Sequence, residues 1–273
     1  MLFILGSILS SAALVILFKV FEKYAINIFQ AILFNYITAA LIAPMFNSDT
    51  GSISAISFNF WICMTIIGLL FIGIFNLIGY SVSKVGIAAV SVSQKMSLVI
   101  PVLYGILCLQ EIADIFKIIG LIIALIAIYL TTKKKETNGE PFNKEALVLP
   151  LLIFIGSGIV DSIIKYTQAH FINPSNEQLF ISGTYGVCSI SGLIVFIYLL
   201  INKKTVFAWR NVGAGIILGI PNYFSMLFFV KALALPWLPV TVFFPINNLG
   251  IIITSTLTAR FVFKEQIVRL QVI

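Results

Sequence analysis

Residues 85–109 read VGIAAVSVSQKMSLVIPVLYGILCL. At about 1.5 Å per residue, a helix of this length crosses a bilayer. Lys95 stands ten residues in, which puts it about 15 Å along that helix and close to the midplane. A lysine at that depth costs about 3 kcal/mol even on the lenient insertion scale. Gln94 precedes it, and Ser91, Ser93 and Ser97 surround it. Pro101 follows, removing a backbone hydrogen bond and loosening the helix locally. Glu111 closes the segment at the far interface. A charge this expensive in a span this apolar marks the helix as the carrier of a transporter's functional site.

The rest of the chain agrees with a membrane setting. Of 273 residues, 60% are hydrophobic and 10% charged, and the mean hydropathy is +1.10. A soluble domain of that composition would have an apolar surface, so an all-α polytopic membrane protein is expected. The net charge of +7 lies in short basic runs between apolar segments. Such runs are positive-inside determinants and headgroup contacts, and no nucleic-acid patch is formed. Membrane lipids are the expected surroundings. Cys63, Cys108 and Cys188 fall inside apolar segments without metal-ligand spacing and read as small buried hydrophobes without disulfides. Residues 1–18 have no basic run ahead of them and read as a retained first helix, not a cleaved signal.

Scanning outward for apolar runs near twenty residues gives nine spans: 2–20, 27–45, 60–82, 85–109, 114–130, 146–168, 178–201, 212–233 and 237–263. Trp61, Trp209 and Trp237 stand at span starts, where interfacial tryptophans belong. A hydrophilic stretch with Asn138-Gly139 and Pro141 separates the fifth span from the sixth. The two halves also correspond. At an offset of 146, Lys19, Ile26 and Asn27 match Lys165, Ile172 and Asn173, and Gly73-Ile74-Phe75-Asn76 matches Gly219-Ile220-Pro221-Asn222. The offset then grows to 154, setting Gln94 opposite Asn248 and Glu111 opposite Glu265. Five helices is an odd number, so two such units enter the membrane in opposite senses, as in secondary carriers. The expected fold is an inverted 5+5 helix repeat, with a first unit over 1–132, a linker over 133–145 and a second unit over 146–273. The partner of the fifth span would extend beyond Ile273, so the tenth helix is expected to be largely missing from this chain.

The basic residues Lys23, Lys84, Lys133 to Lys135, Lys144, Lys203, Lys204, Arg210, Lys264 and Arg269 fall in odd-numbered connections. The positive-inside rule then puts those connections in the cytoplasm and the N-terminus outside.

This pattern resembles the drug/metabolite transporter superfamily, specifically its EamA-type carriers. The likeness rests on the 5+5 repeat and on two helix ends in which a proline, an apolar run and a glutamate follow one another. These are Ile100-Pro101 to Leu109-Gln110-Glu111, and Phe244-Pro245 to Phe263-Lys264-Glu265. The short apolar hairpin after Glu111, with Gly120, also fits. The resemblance implies ten helices, a central cavity, and export or exchange of small metabolites such as amino acids across a bacterial cytoplasmic membrane. It departs in two respects: the tenth helix is absent, and family members are drawn with both termini cytoplasmic.

Within that frame each polar residue in a span has a functional and a bland reading. Lys95 would hold an anionic group or titrate, against snorkelling to the interface. Asp161 and Lys165, one turn apart, form a structural ion pair on one helix face, or Asp161 exchanges between Lys95 and a proton during transport. Asn76 and Asn222 line a polar site or bond a neighbouring helix for packing. Pro221 and Pro245 free carbonyls beside Asn222 and beside Asn247 and Asn248, the way carriers build sites from broken helices. Gln94 stands with them as a cavity-lining amide. Lys19 is an interfacial anchor, Tyr80, Tyr104 and Tyr223 are lipid-facing or core residues, His170 is interfacial, and Glu111 and Glu265 serve structure.

Nothing in the sequence has the spacing of an ATP loop, a metal site, a nucleophile triad or a dinucleotide fingerprint, so no cofactor is expected. The expected function is secondary transport of a small-molecule substrate through a cavity lined by Lys95, Gln94, Asn76, Asn222, Asn247 and Asn248, with a proton or an exchanged solute as possible co-substrate. Small-multidrug-like efflux of lipophilic compounds would want an acid in the first helix, and residues 2–18 hold none. A non-transporting enzyme or scaffold would not need a lysine at mid-depth.

Overall fold

The computed structural model describes residues 1–46, 57–85, 87–111 and 144–263. Between 114 and 123 it describes residues 114–116, 118–120 and 122–123. Among them all regular structure is helical. The helices are α1 (Leu2–Lys23), α2 (Ile28–Ile42) with a 3-10 turn (Ala43–Phe46), α3 (Phe58–Val85), α4 (Ile87–Met96), α5 (Val99–Leu107), α6 (Lys144–His170), α7 (Glu177–Ile201), α8 (Trp209–Leu233) and α9 (Val240–Phe263). Among the described residues six segments are long and apolar enough to cross a membrane: Leu2–Phe21, Ile28–Phe46, Phe58–Ile78, Leu147–His170, Glu177–Ile201 and Trp209–Leu233. Large apolar side chains such as Leu5, Leu9, Ile194 and Ile197 are exposed on them, as lipid-facing residues are. The protein is a multi-pass helical membrane protein. Residues 133–143 of the expected linker 133–145, most of the fifth span, and Glu265 with the start of a tenth helix lie outside the described residues; the linker's last two residues, Lys144 and Glu145, are already helical, in the first turn of α6.

The fourth span is loosened by Pro101 as expected: a two-residue turn at Ser97 and Leu98 separates α4 from α5, with Leu98 still in the right-handed helical conformation. The cause lies in proline's missing N–H. Pro101 cannot donate to the carbonyl of Ser97 one turn back, and its ring crowds that carbonyl. The N–H of Ile100 takes the carbonyl instead, at 3.0 Å. The turn therefore falls just ahead of the proline, after Met96 and two residues beyond Lys95.

The chain forms two compact units. The first holds residues 1–56, 172–234 and 246–273; the second holds 57–171 and 235–245. Neither coincides with a half of the sequence, because helices from each half pack with helices from the other.

In the first unit α8 is the central helix, packed on α1 and α2, and α2 packs in turn on α7. Small residues set the closest approach. A Cβ on Gly215 would lie 2.4 Å from Phe34 Cβ and 2.7 Å from the Ala31 carbonyl oxygen, and one on Gly219 would lie 2.5 Å from Thr38 Cβ. This is the small-xxx-small arrangement by which membrane helices bring their backbones together. Polar bonds secure one end of the pair. The buried amide of Gln30 donates to Val206 O at 2.7 Å and Thr205 Oγ1 at 3.1 Å, and accepts from Asn211 Nδ2 at 2.8 Å. Asn211 Oδ1 in turn accepts the Asn27 N–H at 3.1 Å, so the α7–α8 connection is tied to the start of α2.

In the second unit α6 is the central helix, with α3, α4 and α5 packed around it. Glycines again open the way: a Cβ on Gly158 would meet Ile100 Cδ1 at 2.5 Å, and one on Gly156 would meet Ile74 Cγ1 at 3.1 Å. Glu111 completes this unit. Its Oε1 accepts the Val240 N–H at 2.6 Å and its Oε2 accepts the Thr241 N–H at 2.9 Å. Those are donors of the first turn of α9, which have no partner within the helix, and the carboxylate also meets the positive end of the helix dipole. A left-handed Gln110 (φ 55) stops α5 and turns the chain so that Glu111 can reach.

Candidate functional site

The sequence-derived candidates divide between the two units. Asn76, Gln94, Lys95, Asp161 and Lys165 belong to the second; Asn222, Asn247 and Asn248 belong to the first.

In the second unit the break in the fourth span shapes the site. Lys95 occupies the last turn of α4 and is half-buried, as is Asp161 on α6. The helices that carry them, α4 and α6, pack on one another, and no ion pair or hydrogen bond joins the two side chains among the described residues. Between α5 and α6, Val99 and Phe154 form a buried cluster with Met96 and Ile100 packed against it. The hydroxyl of Ser97 donates to the Gln94 carbonyl at 2.6 Å and closes the end of α4. The hydroxyl oxygens of Ser93 and Ser157 are buried without a hydrogen-bond partner among the described residues. Ser157 lies one helical turn before Asp161. Lys95 and Ser93 on α4 and Ser157 and Asp161 on α6 thus lie on two packed helices, next to the interrupted hydrogen bonding of the fourth span.

The other second-unit candidates lie elsewhere. Lys165 donates to Gln168 Oε1 at 2.7 Å. Gln94 is exposed. Asn76 is exposed too, and its Nδ2 donates to the Ile72 carbonyl of its own helix at 2.8 Å.

In the first unit the amides are engaged. Buried Asn247 accepts from Ser7 Oγ at 2.9 Å, joining α9 to α1. The side-chain and main-chain oxygens of Asn222 are each 3.2 Å from the Tyr185 hydroxyl, and Tyr185 stacks on Tyr36 at 5.7 Å. Asn248 is half-buried and also makes a polar contact. The two copies of Gly-Ile-x-Asn therefore do different work. Gly219 is clamped against α2, whereas a Cβ on Gly73 would meet nothing within 4 Å.

No protein-family model matches the chain. It is 32% identical over 270 residues, 97% of this chain and 90% of the relative, to an uncharacterized protein of Haemophilus influenzae. The chain belongs to that protein's family. A match of this extent covers both units and every candidate residue above.

Several residues that build these sites were not singled out in the sequence. Tyr185, Ser7 and Gln30 sit in apolar runs where single polar residues are common, and only the fold shows what each meets. Gly215 and Gly219 had a readable signal, their four-residue spacing. Of the aromatic candidates, Tyr223 is a core residue whose hydroxyl donates to Gln178 Oε1 at 2.9 Å. His170 is exposed at the end of α6, its ring 4.5 Å from that of Tyr166. Cys108 is exposed, not buried as expected, because α5 ends just before it. Among the described residues no group of three His, Cys, Asp or Glu side chains converges as a metal site.

Proposed function

We propose that the protein is a secondary carrier of the EamA type, exporting or exchanging a small polar metabolite with an anionic group across the bacterial cytoplasmic membrane by alternating access. The observation that carries this reading is the interrupted helical hydrogen bonding of the fourth span, with Lys95 in the last turn before it. A lysine in an apolar span is retained at a cost, and a broken helix at that depth is tolerated where it lines a cavity or is buried in protein. Together they are the arrangement from which carriers build solute sites. The Lys95 ammonium would hold a carboxylate or phosphate.

The inverted 5+5 repeat belongs to the same proposal. Its support is a matched pair of packings: α1 on α8 in the first unit and α3 on α6 in the second. The first and third spans of one half correspond to the sixth and eighth of the other, so the repeat operation turns each packing into the other. The repeated proline–apolar run–glutamate ends add to it.

Comparative metabolomics of spent medium tests the reading. Cells expressing the chain should accumulate one or a few anionic solutes outside relative to cells without it. Identical media, with uptake of the same solutes also unchanged, would refute it.

A further inference from the structure

At one end of the first unit α1 and α7 stop, α2 and α8 begin, and both stops are built in the same way. The N–H of Ile26 bonds the Phe21 carbonyl at 3.0 Å, and the N–H of Lys204 bonds the Leu199 carbonyl at 2.9 Å. Each bond closes around a left-handed residue, Ala25 (φ 48) and Lys203 (φ 54) respectively. Glycine is the usual residue at that place in a helix stop, because a side chain there is strained. Lys203 is therefore kept at a cost to the backbone, a cost more often found where a side chain has a function. It is exposed, as are Lys204 beside it and Arg210 in the first turn of α8.

These cations are held on one frame. The buried Gln30 amide bonds Thr205 Oγ1, next to Lys204, at 3.1 Å and Asn211 Nδ2, next to Arg210, at 2.8 Å. A single side chain thus ties down both ends of the α7–α8 connection. Arg210 Nη2 donates to the Ala25 carbonyl at 3.1 Å, which fixes the guanidinium against the end of α1. Its other N–H groups, and the ammonium groups of Lys203 and Lys204, have no anionic partner among the described residues. Against Lys19, Lys23, Lys203, Lys204 and Arg210, Glu22 is the one acid in residues 19–27 and 202–211.

An apolar face continues from the cations. Ile201, Ile197 and Ile194 recur three or four residues apart along α7 and are all exposed, so they form one row. Tyr198 stands beside them, with Lys204 Nζ 5.9 Å from the centre of its ring. Trp209, exposed next to Arg210 and edge-on to Phe207 at 5.1 Å, sets the depth. Indole rings settle at headgroup level, which puts the neighbouring guanidinium in the phosphate layer. We infer that the α7–α8 connection binds one anionic phospholipid, with its phosphodiester on Lys203, Lys204 and Arg210 and an acyl chain along Ile201, Ile197 and Ile194. A free phosphate would match the cations but leave the apolar row uncovered. The lipid site belongs to the first unit alone and does not depend on the carrier reading above.

Native mass spectrometry of the purified, delipidated full chain tests this by counting bound lipids during titration with phosphatidylglycerol or phosphatidylethanolamine. The first phosphatidylglycerol should bind more tightly than the first phosphatidylethanolamine, whose ammonium the same cations repel. Each basic residue beside an anionic headgroup contributes a factor of about five. The triple variant Lys203→Gln, Lys204→Gln, Arg210→Gln should therefore weaken the first phosphatidylglycerol roughly a hundredfold. Lys203→Gly separates binding from folding. It relaxes the left-handed residue, so the melting temperature should hold or rise while phosphatidylglycerol affinity falls about fivefold. Equal affinity for the two lipids, or unmodified affinity in the triple variant, overturns the site. Inorganic phosphate should leave the bound lipid in place; its displacement by phosphate alone would mark a free-phosphate site and overturn the lipid assignment.

Discussion

Two glycines two residues apart on α8 separate packing from propensity. Gly213 and Gly215 lie in the same helix, so an alanine at either position gains the same helix preference, about 1 kcal/mol. They differ in what the new methyl meets. At Gly213 there is nothing within 4 Å; at Gly215 the methyl would stand 2.4 Å from Phe34 Cβ, 2.7 Å from the Ala31 carbonyl oxygen and 3.0 Å from the Asn35 nitrogen. Carbon atoms prefer about 3.5–4.0 Å, so α2 must withdraw by roughly 1 Å. Two of the three obstructing atoms are backbone, which no rotamer change can move. Overpacking of this kind costs about 1–3 kcal/mol, and the backbone contact places Gly215→Ala at the upper end. The two variants should therefore differ by about 3 kcal/mol, or about 6–12 °C in melting temperature at the 2–4 °C per kcal/mol of a larger domain. Thermal unfolding of the detergent-purified protein measures this directly. Gly213→Ala should melt at or above the unmodified chain and Gly215→Ala well below it. Melting temperatures within about 2 °C of each other would refute the close α2–α8 approach, given the scaling used.

Two further outcomes are expected. Glu111→Gln keeps the shape but loses the charge and one of the two acceptors facing the first turn of α9. It should cost about 2–3 kcal/mol, read by the same melting assay; an unchanged melting temperature would show that the cap contributes nothing. The distribution of basic residues puts the α7–α8 connection in the cytoplasm, so a fluorescent protein fused after Lys204 should be bright and alkaline phosphatase fused there inactive. The opposite pair of results would invert the topology.

How far the sequence led differs between fold and site. Helix positions were legible because an apolar span must satisfy its backbone internally. The expected spans 60–82 and 178–201 return as α3 and α7, displaced by three residues at most. The position of the break was not legible: proline was recognised as its cause, but which carbonyl would be recaptured, and where the helix would stop, depended on Ile100 and Ser97. Lys95 declared itself through cost. Asp161 read as a partner of Lys165 one turn away, but Lys165 donates to Gln168 instead, a choice of partner that helical spacing alone does not decide. Asn247 was readable as an amide beside a proline, yet its bond to Ser7 joins residues 240 positions apart, a relation that no local pattern encodes. Glu111 was readable as a helix-end residue, but not as the cap of a helix that begins 129 residues later.

The central claim is that Lys95, at the break in the fourth span, seats the solute. The most direct measurement is export by cells expressing the unmodified chain, Lys95→Met or Lys95→Arg, at matched amounts of folded protein in the membrane. The account predicts a solute that accumulates outside with the unmodified chain, falls to background with Lys95→Met and is partly retained with Lys95→Arg. Export by Lys95→Met at the unmodified rate would contradict it and leave Lys95 a structural residue.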